Sequence, residues 1–130
     1  MAKKCLGINV LQAARERISW VFDNFPRIYV SFSGGKDSTV MLHLVMDEAI
    51  KRGKNVGVLF VDLEGQYKLT IDHISECLDM YRDNITPHWV ALPLNLRNAV
   101  SQFMPQWKCW DSSAEKDWIR EKPENCTPQS

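Results

Sequence analysis

Apolar residues recur at spacings of three and four between Val10 and Phe25, at Leu11, Ala14, Ile18, Val21, Phe22 and Phe25. Arg15, Glu16, Arg17 and Asp23 fall mostly off that stripe, so the segment predicts an amphipathic helix. Asn9 is placed to cap it and Pro26 to stop it. The period then changes. Ile28 to Phe32 is rich in β-branched and aromatic residues and predicts a short strand. From about Lys36 to Lys51 a helix leaves little polar surface, with Val40, Met41, Leu42, Leu44, Val45, Met46, Ala49 and Ile50 around its girth, and Gly53 ends it. Val56 to Val61 is an almost continuous apolar run, the pattern of a parallel strand covered on both faces. A further helix spans about Tyr67 to Arg82, with Ile71, Ile74, Leu78 and Tyr81 on one side. His88 to Leu94 predicts a third strand, and a last helix is expected near Leu96 to Met104.

This alternation implies an α/β protein with a parallel sheet and right-handed crossovers. A chain of 130 residues has room for one core. The expected division is residues 1–106 as the α/β domain and 107–130 as a tail carrying Trp107, Trp110 and Trp118, packed on the sheet and read as the start of a further C-terminal part. Three buried-type strands and several apolar helices exceed what so short a chain can cover. An exposed apolar edge or face is therefore expected, and with it a homo-oligomer or a covering partner protein.

Charge narrows the partners. Lys+Arg and Asp+Glu both number 16, which speaks against broad neutralisation of a nucleic-acid backbone and leaves nucleic acid a weak partner. The apolar runs are too short for a membrane span, so no membrane partner is expected. Cys5, Cys77, Cys109 and Cys126 are scattered without a CxxC pair, which fits reduced thiols in the cytoplasm. His73 and His88 have no second ligand at zinc spacing, and neither zinc nor an iron–sulfur cluster is expected. Cys77 reads as a small core residue and His43 as a satisfied core histidine. Cys109, beside Lys108, is the best candidate for a reactive thiol, because a nearby cation favours thiolate, but with no partner motif it reads first as an ordinary core or surface cysteine.

The chemistry concentrates in Ser33-Gly34-Gly35-Lys36-Asp37-Ser38. A strand, a glycine loop and a helix bring unpaired N–H groups and a positive dipole end to one point, an arrangement that binds phosphate. The glycines allow close approach and positive φ. By the same reasoning, Gly35→Val should abolish binding. Ser33, Ser38 and Thr39 add hydroxyls, and Lys36 adds a point charge suited to phosphate oxygens. Asp37 makes sense in an anion site where Mg²⁺ bridges carboxylate and phosphates. The loop is neither GxxxxGK[ST] nor GxGxxG. Asp62, at the end of the second strand, is a candidate metal or ribose contact. Glu64 reads equally as a contact or a solvated turn residue, and Gln66 and Tyr67 as base contacts or the start of a helix.

Residues 31–38, Ser-Phe-Ser-Gly-Gly-Lys-Asp-Ser, resemble the PP-loop of the ATP pyrophosphatase (adenine nucleotide α-hydrolase-like) superfamily. VSFSGGKDSTVMLHL, VLFVDLEGQY, HWVALPL and NAVSQFMPQWKCWD are similar to its phosphoadenosine phosphosulfate (PAPS) reductase-like branch. Within that branch they resemble the bacterial immunoglobulin-binding-regulator-like group. The resemblance runs from about Val10 to Trp118. It implies a three-layer α/β/α fold with a twisted parallel sheet of about five strands, of which this chain covers the N-terminal part. It implies that Ser31, Ser33, Gly34, Gly35, Lys36, Asp37, Ser38 and Thr39 hold the phosphates of ATP or PAPS, with Asp62 near the nucleotide. Lys36 and Asp37 would be the catalytic residues, and Asp37 the Mg²⁺ ligand. The activity implied is ATP pyrophosphatase or sulfur or sulfate transfer. The alternatives are a non-catalytic nucleotide-sensing module, or a sulfurtransferase component that acts on nucleic acid with a partner. The Glu-Cys-Gly-Leu-His tail of true PAPS reductases is absent, since Cys126 follows Glu124-Asn125.

Overall fold

The computed structural model describes residues 5 and 7–126; the last four residues of the predicted tail lie outside them. Helix α1 spans Val10–Asn24, and the Asn9 side chain caps it by accepting from the Gln12 N–H at 2.8 Å. Strand β1 (Tyr29–Ser31) leads into α2 (Lys36–Lys51), β2 (Val56–Val61), α3 (Lys68–Met80) and β3 (Ile85–Val90). The three strands form one parallel sheet in the order β1-β2-β3, with Val30 beside Val58 and Phe60 beside Trp89. The parallel α/β sheet is the one the periodicity predicts.

The β1–α2–β2 and β2–α3–β3 connections step across the sheet in the same direction. Crossovers of one hand then place both helices on the same face. The core agrees. Phe22 of α1, Leu42, Val45, Met46 and Ala49 of α2, and Ile74 and Cys77 of α3 pack with Val30, Phe32, Val58, Phe60 and Trp89 in one cluster. The opposite face carries Tyr29, Ser31, Gly57, Leu59, Val61, Thr86 and His88, and Tyr29 is 69% exposed. The described residues thus supply one helical layer of the expected three-layer sandwich, and the second face of the sheet stands open.

Two elements differ from expectation. The third strand begins at Ile85 and ends at Val90, earlier than the predicted His88 to Leu94, because buried Ile85 pairs with Val56. Pro87, which lacks an N–H, is tolerated because β3 is an edge strand. The helix expected near Leu96 to Met104 is instead an antiparallel hairpin of β4 (Leu94–Arg97) and β5 (Gln106–Cys109). Leu94-Asn95-Leu96-Arg97 alternates with period two, and Pro93 and Pro105 bracket the segment against helix. Strand β5 crosses the division expected at residue 106 and is followed by a 3-10 helix, Ser112–Asp117. A second cluster of Ala91, Cys109 and Trp110, with Leu63, Trp107 and Trp118 against it, anchors this region; Cys126 touches both clusters.

Candidate functional site

The ladder between β1 and β2 continues to Phe32, whose N–H reaches the Leu59 carbonyl at 2.8 Å, so Ser33 emerges at the carboxyl edge of the sheet. Gly34 has φ +78°, and a Cβ there would lie 2.8 Å from Ile74 Cγ1 and 3.0 Å from Thr70 Cγ2. Both facts exclude a side chain. Gly35 differs. Its φ of −75° is open to any residue, and an added Cβ would meet only Ser33 Oγ at 3.6 Å. The dihedral constraint expected at Gly35 therefore belongs to Gly34.

Helix α2 begins at Lys36 without a side-chain cap, unlike α1. Its first N–H groups have no acceptor within the helix. The Gly35 carbonyl accepts from Ser38 Oγ at 3.0 Å, Thr39 Oγ1 at 2.8 Å and the Thr39 N–H at 2.9 Å. With its proton so used, Ser38 Oγ accepts from Ser33 Oγ at 3.0 Å. Lys36 and Asp37 are exposed, and neither is in an ion pair among the described residues. Ser31 is the exposed last residue of β1. The structure thus gathers Ser33, Gly34, Gly35, Lys36, Asp37, Ser38 and Thr39 into one loop and first helical turn, with uncompensated N–H groups and one cation at a dipole's positive end.

Asp62 ends the neighbouring strand, as expected, but its side chain is fully buried and turned inward. Oδ2 accepts from Trp89 Nε1 at 2.7 Å; Oδ1 accepts from the Glu64 N–H at 2.9 Å and from Arg120 Nη2. Glu64 is buried as well, which replaces the solvated-turn reading. Its Oε2 accepts from the Trp110 N–H at 2.6 Å and its Oε1 from the Ile119 N–H at 3.0 Å. Trp110 Nε1 donates to the Asp62 carbonyl at 2.7 Å, and Arg120 Nε donates to the Glu64 carbonyl at 3.0 Å while its guanidinium lies over the Trp110 ring. Glu64 and Trp110 both adopt left-handed backbone, with φ of 66° and 51°. Such residues cost about 1–3 kcal/mol each and persist where surrounding contacts hold them. The two carboxylates form a clasp that ties the tail to the end of β2.

Cys109 is an ordinary core cysteine, the first of its two readings. Strand alternation sends Lys108 and Cys109 to opposite faces of β5. Lys108 lies 3.6 Å from Asp111, and the buried thiol donates to the Leu92 carbonyl at 3.6 Å. Burial, with the charges of Glu64 and Asp62 adding to it, pushes that thiol's pKa up. Cys77 is buried, as expected, and its thiol is pushed up by burial and then by Glu76. His43 is half-buried and bonds the Tyr81 hydroxyl. Gln66 is half-buried, and Tyr67 stands exposed just before α3. Sequence reasoning missed Thr70, His73 and Ile74, which back the loop, and Arg120 as the partner of Asp62. Each lies more than 30 residues from what it touches, with no motif to link them.

Among the described residues, no three His, Cys, Asp or Glu side chains gather as metal ligands, and no helix is long and apolar enough to cross a membrane. Residues 27–124 match the phosphoadenosine phosphosulfate reductase domain. The chain is also 46% identical over 121 residues to the uncharacterized protein YbdN of Escherichia coli (strain K12). That match covers 92% of this chain and 29% of the relative, so the chain spans less than a third of the relative's length.

Proposed function

The chain belongs to the phosphoadenosine phosphosulfate reductase domain family, and from that premise we propose that it binds the phosphates of an adenine nucleotide, ATP or PAPS, at Ser33–Thr39. The observation that carries this reading is the uncapped start of α2, reached through Gly34 and Gly35 and flanked by Lys36. The free N–H groups and the ammonium would take the phosphate oxygens. In the pyrophosphatase form, a nucleophile bonds to the α-phosphorus as the bond to the bridging oxygen breaks, and pyrophosphate leaves. Lys36 and the helix terminus stabilise the charge that grows on that leaving group. In the sulfur-transfer form, the same loop holds PAPS while a thiolate attacks sulfur, the bond from sulfur to the 5′-phosphate oxygen breaks, and adenosine 3′,5′-bisphosphate leaves.

Asp37 suits Mg²⁺, which is commonly held by one carboxylate together with substrate phosphates and waters. The ion would neutralise phosphate charge, and Asp37 would fix its place beside the loop. The thiols of Cys77 and Cys109 are buried and held protonated, which favours two variants of the reading. In one, an attacking thiolate comes from a residue other than these two. In the other, the domain senses nucleotide without turning it over. The same reading has the protein working with reduced thiols in the cytoplasm, its open sheet face covered by a second copy or a partner chain. Calorimetric titration with ATP, PAPS and AMP, with and without Mg²⁺, tests the binding. ATP and PAPS are expected to bind more tightly than AMP, and equal weak binding of all three would overturn the phosphate assignment. Pyrophosphate release from ATP separates catalysis from sensing.

A further inference from the structure

Helix α3 does more than cross from β2 to β3. Thr70, His73 and Ile74 stand at positions i, i+3 and i+4, which form a single helical face. That face meets the phosphate loop at two points. Ile74 and Thr70 fill the space where a Cβ on Gly34 would go. His73 Nε2 lies 3.0 Å from Thr39 Oγ1, in the first turn and a half of α2.

The proton inventory fixes the direction of that bond. Thr39 has one hydroxyl proton, and the Gly35 carbonyl 2.8 Å away can only accept it. With the Thr39 proton directed to the Gly35 carbonyl, His73 Nε2 is the donor to Thr39 Oγ1. Cys77 Sγ packs against the same ring, 3.7 Å from Nε2 and 3.9 Å from Nδ1. The ring is also packed edge-on against Phe32, their centroids 6.2 Å apart. His73, Thr39 and the Gly35 carbonyl make one chain of hydrogen bonds from α3 to the loop.

We propose that His73 is the positioning residue of the phosphate loop, bracing the open end of α2 through Thr39 so that its unpaired N–H groups keep their binding geometry. Helix ends fray, and the end of α2 has no side-chain cap to restrain it. An anion site made of backbone donors gains affinity when those donors are ordered before the ligand arrives. His73 supplies that order without touching the ligand. The functional consequence rests on the phosphate-binding reading above; the bracing itself does not.

Two measurements on the full chain separate them. Amide hydrogen exchange of residues 39–42 without nucleotide, the first N–H groups of α2 that have acceptors, should speed up several-fold in His73→Leu, whereas helix α1 should exchange as before. Titration with ATP should show a roughly threefold to tenfold weaker Kd, the loss of one hydrogen bond's net contribution. His73→Gln, whose amide keeps an N–H donor, should recover most of both effects. Combining Thr39→Val with His73→Leu should weaken ATP no further than Thr39→Val alone. Unchanged exchange at these amides in His73→Leu overturns the proposal whatever ATP does. So does a failure of His73→Gln to recover protection. If the unaltered protein binds no ATP, the phosphate reading falls, and exchange still decides the brace. Should His73→Leu unfold, Thr39→Val breaks the same bond and must give the same faster exchange.

Discussion

The turns after β1 and β2 leave neighbouring strands of one sheet at the same carboxyl edge. After β1, the first N–H groups of α2 are uncapped and Lys36 and Asp37 stand in solvent. After β2, all four carboxylate oxygens of Asp62 and Glu64 are taken by Trp89, Arg120 and the backbone of Glu64, Trp110 and Ile119. One turn leaves its hydrogen-bonding groups unpartnered; the other uses them on the chain's own tail. A strand-end position alone therefore does not decide whether a carboxylate faces solvent.

The sharpest way to break the contrast is Arg120→Met. It leaves Asp62 buried without its cation, and losing one partner of such a pair costs about 3–5 kcal/mol. Urea unfolding should show that loss, and limited proteolysis should find the tail released. Nucleotide binding per folded molecule should change far less.

Gly34→Ala comes next. Its Cβ would press on Ile74 in a left-handed conformation, at a cost of about 1–3 kcal/mol, and ATP binding should fall with stability. Gly35→Ala should leave stability nearly unchanged. If the two behave alike in thermal melts, the division of labour between the glycines is wrong.

Lys36→Ala reverses the Arg120 result: stability holds, while ATP affinity falls roughly tenfold to hundredfold, as for a charge-assisted contact. Lys51, exposed at the other end of α2, is the proper control. Lys54 is not silent, since its Nζ donates to the Phe22 carbonyl at 3.2 Å. Equal losses from Lys36→Ala and Lys51→Ala would mean the loop is only a turn.

The smallest effect concerns the thiols. Native Cys77 and Cys109 hold their protons to higher pH than in the unfolded chain. Their contribution is complete below the unfolded thiol pKa and is lost as pH rises through the raised native values. Urea midpoints should fall between about pH 8 and about pH 10, and fall less in Cys77→Ala/Cys109→Ala. Cys5, exposed, should alkylate first at neutral pH.

The loop was legible because six consecutive residues each declare their chemistry at a strand-to-helix junction. The helices and parallel strands were legible because apolar period and length distinguish them. The hairpin was not, since four-residue strands carry too short an alternation to oppose a helical reading of Leu96 to Met104. At Asp62 the sequence reveals a strand end, but not the direction of the side chain, which is decided by Trp89 and Arg120, 27 and 58 residues further on. His73 stays hidden for the same reason: its partner Thr39 sits 34 residues away.

That 58-residue separation also sets an order of events. Closing a contact between distant residues carries an entropic cost that nearby contacts avoid, and such contacts form late. During synthesis, β1, α2 and β2 leave the ribosome while Arg120 is still untranslated, and Asp62 and Glu64 wait as solvated acids. The phosphate loop can reach working shape as soon as α3 has arrived to back it. The loop after β1 can therefore take its fold before the second core has closed.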